Sequence, residues 1–167
     1  MGILKHKSSI FNYQTVADCK FGKNVKLIPP YNIYGCEIGD GSFIGPFVEI
    51  QKNAKIGSNT RISSHSFICE YVQIGNNCFV GHGVMFTNDK FSNNTLGNLE
   101  STIIGNNVKI GSNSTILPVK IGNNVVIGAG SVVTKNIPDN SVVYGNPAKL
   151  KKWKYAIFKV MNWKVRK

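Results

Sequence analysis

The chain has 167 residues, 42 % of them hydrophobic and 17 % charged, the size and composition of one globular domain. No run approaches the roughly 18 to 20 consecutive apolar residues of a membrane span, and Met1 to Lys7 leads into no apolar export segment, so insertion and secretion are not expected. The net charge of +12 is uneven: eight of the 20 basic residues (Lys149, Lys151, Lys152, Lys154, Lys159, Lys164, Arg166, Lys167) close the chain, with no Asp or Glu after Asp139. Cys19, Cys36, Cys69 and Cys78 form neither a C-x-x-C pair nor a zinc or disulfide framework, which suits a reducing cytoplasm.

In chain order, Val25, Pro29-Pro30 and Ile33 predict one imperfect coil that caps the regular repeats. From Ile38 an aliphatic residue then returns every sixth position: Ile44, Ile50, Ile56, Ile62, Ile68, Ile74 and Val80. Four residues after each of the eight stands a small one, Ser42, Val48, Ala54, Thr60, Ser66, Val72, Cys78 and Val84. This period is neither helical nor a simple strand alternation. Turn formers fill the gaps (Gly39-Asp40-Gly41, Gly57-Ser58-Asn59, Gly75-Asn76-Asn77), as corners with left-handed backbone require. The pattern predicts a triangular solenoid: each hexad gives a short strand and a corner, three hexads close a coil, and the stacked aliphatics make a core no repeat could bury alone. Cys78 reads as a packing residue within it.

The period breaks after Phe86 and resumes at Ile104, Ile110, Ile116, Ile121 and Ile127, with small partners Val108, Ser114, Val125 and Ser131. Residues 87–103, rich in Asn and Gly, are therefore predicted to leave the wall as a loop. Ile116-Leu117-Pro118-Val119-Lys120 is one residue short of a repeat. After Ile137-Pro138 the repeat stops, and Leu150, Trp153, Ile157, Val160 and Met161 predict a basic amphipathic helix over residues 148–167, following the main domain at 1–147.

These residues resemble the hexapeptide-repeat acyltransferases. The resemblance implies an all-β, left-handed parallel β-helix, a homotrimer, and acetyl-CoA as co-substrate. Tyr34-Gly35-Cys36-Glu37-Ile38-Gly39, Phe47-Val48-Glu49-Ile50-Gln51, Ser64-His65-Ser66-Phe67-Ile68-Cys69-Glu70 and Gly81 to Asp89 are similar to nucleotide-linked 3-amino-sugar N-acetyltransferases. Ile127 to Lys135 and Tyr144-Gly145-Asn146-Pro147-Ala148-Lys149 resemble the acyl-CoA end of that superfamily, from which this chain departs in lacking the Gly expected after Pro118.

The implied reaction moves an acetyl group from acetyl-CoA to the amine of a UDP- or dTDP-linked sugar. Residues eighteen apart should stack, which sets Glu70 beside Asn88 and Tyr71 beside Asp89. The resemblance puts Asn88 and Asp89 at the sugar, where hydrogen bonds would hold the amine against the thioester. His82, or His65 diagonal to it on one corner, is a candidate base; both also read as exposed corner residues bonded to turn backbone. A backbone N–H from a glycine-rich C-terminal corner is the expected oxyanion donor. The resemblance also places Gly111, Ser131, Lys135, Pro147, Lys149 and Lys151 along the coenzyme, the lysines facing its phosphates. With only His6, His65 and His82 in the chain and no close pair, a zinc site is not expected. Three alternatives stay open: O-acetyl transfer to a hydroxyl, a non-catalytic binding protein docked on anionic membrane by its basic tail, and a tail that caps the solenoid. No nucleic-acid motif accompanies the charge.

Overall fold

The computed structural model describes residues 14–89 and 99–151. They form an all-β parallel β-helix with three faces, of the left-handed class expected. The first face runs from Gln14–Ala17 and Tyr31–Tyr34 through Val48–Ile50, Phe67–Ile68, Met85–Phe86 and Thr115–Ile116 to Val132–Val133. The second stacks six strands from Lys20–Phe21 to Lys120–Ile121, and the third eight, from Lys26–Leu27 through Phe43–Ile44 to Val142–Tyr144 and Lys149–Leu150.

The six-residue period explains this shape. Every aliphatic residue of the series, Ile38 to Val80, is buried, and so is every small residue four positions on. Ile38 lies opposite Ile56, Ile44 opposite Ile62 and Ile50 opposite Ile68, so like side chains stack along the axis at about 4.8 Å per coil. Phe86 continues the series, also buried. The polar members are satisfied inside: Ser42 Oγ donates to the Gly57 carbonyl at 2.8 Å and Thr60 Oγ1 to Gly75 at 2.9 Å.

Corners between the second and third faces carry a left-handed residue in successive coils: Asn24, Gly41, Asn59, Asn77, Asn107, Asn124 and Asn140. Asparagine tolerates this backbone, and its amide also bridges coils, Asn107 Nδ2 to Asn124 Oδ1 at 3.1 Å and Asn124 Nδ2 to Asn140 Oδ1 at 3.0 Å. The neighbouring column closes backbone donors: the N–H groups of Ser58, Asn76 and Asn106 bond to the side-chain oxygens of Asn76, Asn106 and Asn123.

The first coil is imperfect, as expected: its three strands pair with the coil above at an offset one residue short of that between Glu37 and Lys55, and Val16 and Phe21 stay exposed. Three other expectations change in detail. The excursion is shorter than the break in period: the Gln73 N–H bonds to Thr102 O, and Ile103 already pairs with Gln73, so residues 102 and 103 belong to the wall. The short repeat is absorbed at its corner, where Pro118 and Val119 turn inward and leave Ile104 opposite Ile121 and Ile110 opposite Ile127. Finally, Lys149–Leu150 is not helical but folds back antiparallel on Val142–Tyr144, Val143 facing Leu150. Pairing with the open last strand overrides helical spacing there, while residues 152–167 of the expected helix lie outside the described residues.

Candidate functional site

The first face is bounded by two edges, and the expected site residues divide between them. At the edge leading to the second face, Phe67 lies opposite Met85, so Glu70 and Asn88, each three residues further on, hold equivalent places in neighbouring coils. By the same count Tyr71 and Asp89 are one coil apart, but Asp89 does not repeat the left-handed backbone that Asn53 and Tyr71 share. Glu70 is 19 % exposed, and its Oε1 lies 3.5 Å from Lys52 Nζ in the coil below. The excursion starts here, closed at its base by Glu100 N–H bonding to Asn88 O at 2.7 Å. Tyr71 is exposed with φ 65°. Met85 faces Thr115 and Thr115 faces Val132, so the column runs on from Asn88 through Pro118 to exposed Lys135.

At the opposite edge of the same face lie the histidines. His82 stacks over Ser64, its Nδ1 2.6 Å from Ser64 Oγ, while the His82 N–H bonds to Ser112 Oγ at 3.2 Å. His65 sits one residue along in the coil below, in left-handed backbone with φ 61°, its ring stacked on Phe47 at 4.7 Å between centroids. Both imidazoles are exposed. Within one chain, therefore, the histidines and the Glu70–Asn88 column face away from each other across a sheet.

Of the residues expected at the coenzyme, Gly111 and Ser131 share the histidine edge. Gly111 is required by packing, since a Cβ there would sit 2.3 Å from Ala129 N. Ser131 is fully buried, its hydroxyl donating to Gly128 O at 2.6 Å and accepting from Gly145 N–H at 3.2 Å, which commits it to the wall. The N–H groups of Gly111, Gly128 and Gly130 all bond between coils, to Ile127, Val143 and Ser112, so none is free to receive an oxyanion. Pro147, Lys149 and Lys151 are exposed around the last turn, with Lys151 Nζ 5.0 Å above the Tyr144 ring.

A shallow groove of about 480 Å³ runs along the second face past Lys20, Glu37, Lys55, Gln73 and Ile103. None of the expected site residues lines it. Hydrogen bonding and charge from Lys20, with a contribution from Lys55, hold the exposed Glu37 carboxyl below the usual carboxylate range. Among the described residues no cluster of His, Cys, Asp and Glu is placed to hold a metal ion, and no helix is long and apolar enough to cross a membrane. Reasoning from sequence missed Lys52 and Ser64, although the eighteen-residue offset that pairs Glu70 with Asn88 also reaches both.

Residues 35–70 match the family described as bacterial transferase hexapeptide (six repeats), and residues 101–135 match the hexapeptide repeat of succinyl-transferase. Both stretches of this chain thus carry the hexapeptide repeat of transferases. The chain is 32 % identical over 162 residues to the bifunctional protein GlmU of Streptococcus uberis, covering 90 % of this chain and 35 % of that protein. It thus spans about a third of the length of the curated relatives it matches. A mutant of AntD, an N-acyltransferase from Bacillus cereus, in complex with dTDP and coenzyme A, has the same fold, with a TM-score of 0.75 at 23 % identity over 84 % of this chain and 86 % of AntD. Neisseria gonorrhoeae serine acetyltransferase is 34 % identical over 62 % of this hexapeptide-repeat chain and 41 % of its own, with a TM-score of 0.54.

Proposed function

We propose that this protein is a cytoplasmic acetyltransferase that moves the acetyl group of acetyl-CoA onto the amine of a UDP- or dTDP-linked 3-amino-deoxy sugar. The product would supply surface glycan synthesis. The observation that supports the reading is the register that gives Glu70 and Asn88 equivalent places in neighbouring coils at the foot of the excursion: a carboxylate and an amide in one column would suit a cationic amine and its neighbouring hydroxyls. The fold shared with AntD and the hexapeptide-transferase family support acyl transfer as the chemistry.

In the reaction, the free amine attacks the thioester carbonyl, a C–N bond forms, the oxyanion collapses, and the C–S bond breaks. The departing thiolate can accept the proton the amine loses, so a protein base is not essential. Asn88 and Asp89 would orient the amine, Glu70 and Tyr71 would hold the sugar, and Lys135, Lys149 and Lys151 would meet the coenzyme phosphates. The proposed assembly is a homotrimer, which would bring the carboxylate edge of one chain to the histidine edge of the next, with acetyl-CoA in the cleft. The test is a panel of UDP- and dTDP-linked 3-amino and 4-amino sugars with acetyl-CoA. Release of free CoA with at least one is expected, and silence across the panel would refute the reading.

A second reading, O-acetyl transfer, is favoured by the His82–Ser64 contact: in the tautomer whose Nδ1–H donates to Ser64 Oγ, Nε2 is left to take a proton from an alcohol. The His82→Ala variant separates the two, a mild loss supporting amine transfer and a loss of several orders of magnitude a base-dependent reaction. Docking of the basic tail on anionic membrane falls on residues outside those described. Liposome pelleting before and after removal of residues 152–167 decides it.

A further inference from the structure

We propose that Cys19 and Cys36 form a modification site that exchanges with small disulfides and closes into a reversible cross-link between the first two coils. The two thiols stand in register, one residue before the paired strands at Lys20 and Glu37, and their sulfurs are 3.6 Å apart. In-register parallel strands hold Cα atoms about 4.8 Å apart, inside the range of about 4.4 to 6.8 Å that a disulfide spans. Side-chain rotation alone can bring the sulfurs to bonding distance. No other pair of cysteines among the described residues is in contact. Cys69 and Cys78 occupy separate columns, both buried, and Cys78 Sγ bonds to the Gly105 carbonyl at 3.2 Å.

The two thiols also differ in the way a two-step exchange requires. Cys19 is partly exposed and Cys36 buried. Cys19 therefore meets a solution disulfide first: its thiolate attacks one sulfur of the small disulfide, forms a mixed disulfide and releases one small thiolate. Cys36 then loses its proton to solvent, attacks Cys19 Sγ and expels the second small thiol, so one small disulfide is reduced to two thiols as the protein loses two hydrogens. Burial first, then the adjacent Cys19, pushes the Cys36 thiol well above its ordinary range, which makes ring closure the slow, alkali-accelerated step. Such a bond is transient in a reducing compartment, and it would fasten the end coil of a prism in which each coil contacts only its neighbours.

The full chain, incubated with oxidised glutathione and quenched with acid, is read by intact mass and peptide mapping. The expected product has lost two hydrogens, links the peptides of Cys19 and Cys36, leaves Cys69 and Cys78 free, and reverts with dithiothreitol. Its rate should rise about tenfold per pH unit between roughly pH 7 and 9. Amide exchange over residues 14–27 should slow several-fold on oxidation and stay unchanged beyond residue 60. In the Cys36→Ser protein, glutathione should remain stalled on Cys19. A wild-type chain that keeps glutathione on Cys19 without closing, that links Cys69 or Cys78, or that does not react overturns the proposal, whether or not the variant folds.

Discussion

Replacing Glu70 by Gln keeps the size and hydrogen-bonding shape of the side chain and removes one charge, which isolates its proposed role toward a cationic amine. At about 4 Å and an effective dielectric of about 20, a carboxylate and an ammonium attract by about 4 kcal/mol. Lys52 Nζ already sits 3.5 Å from Glu70, and the carboxylate keeps 19 % of its exposure, so both competition and solvent reduce that figure. A remainder of about 1.4 to 2.7 kcal/mol corresponds to roughly a 10- to 100-fold loss in kcat/KM for the amino sugar. The effect on folding should be small, because an ion pair with a partner as exposed as Lys52 contributes about 0.2 to 1 kcal/mol. Steady-state kinetics with each substrate varied in turn distinguishes the cases. The variant should lose kcat/KM for the sugar and retain its KM for acetyl-CoA, whose phosphates are assigned to lysines on later coils. An unchanged kcat/KM for the sugar in a folded variant, or an equal loss for both substrates, would refute the reasoning.

Other expectations concern the wall. Ile62→Ala, at a fully buried position, should cost about 2 to 5 kcal/mol by chemical denaturation. Asn77, with φ 56°, should tolerate Gly but lose about 1 to 2 kcal/mol as Val, which strains in left-handed backbone. Glu37, its carboxyl depressed by Lys20, contributes stability that is present above the ordinary carboxylate pKa and is lost as pH falls through the lower folded value. A Glu37→Gln chain should show a shallower acid limb in thermal melts as pH falls below the ordinary carboxylate range. Burial pushes the Cys69 thiol up to about 11, so at neutral pH it should alkylate far more slowly than Cys19.

The prism was legible because one interval repeats often enough to leave no competing period. Ile38 to Val80 and their small partners are the residues that fill the core, and the gap after Phe86 marks where the chain leaves it. The equivalent places of Glu70 and Asn88 in neighbouring coils followed from counting alone, since corners of fixed length preserve register. Lateral position was harder to read. Counting along the axis says which residues stack, but only the observed strand limits show that His82 precedes the Met85 strand while Asn88 lies beyond it, on opposite edges of a face. Ser131 looked like a ligand contact by motif and is instead a buried hydroxyl that closes the last turns. Leu150 fitted a helical spacing, yet the unpaired edge of Val142–Tyr144 offered hydrogen bonds that an isolated helical turn does not.

The most direct test of the account is the chemical position of the transferred acetyl group. When the protein, acetyl-CoA and an amino-sugar nucleotide are combined, mass spectrometry should show one acetyl added per CoA released. The product should resist hydroxylamine, as an amide does. An acetyl group that hydroxylamine removes would place it on oxygen, and no acetylated product with any UDP- or dTDP-linked amino sugar would contradict the assignment of the Glu70–Asn88 edge as an amine site.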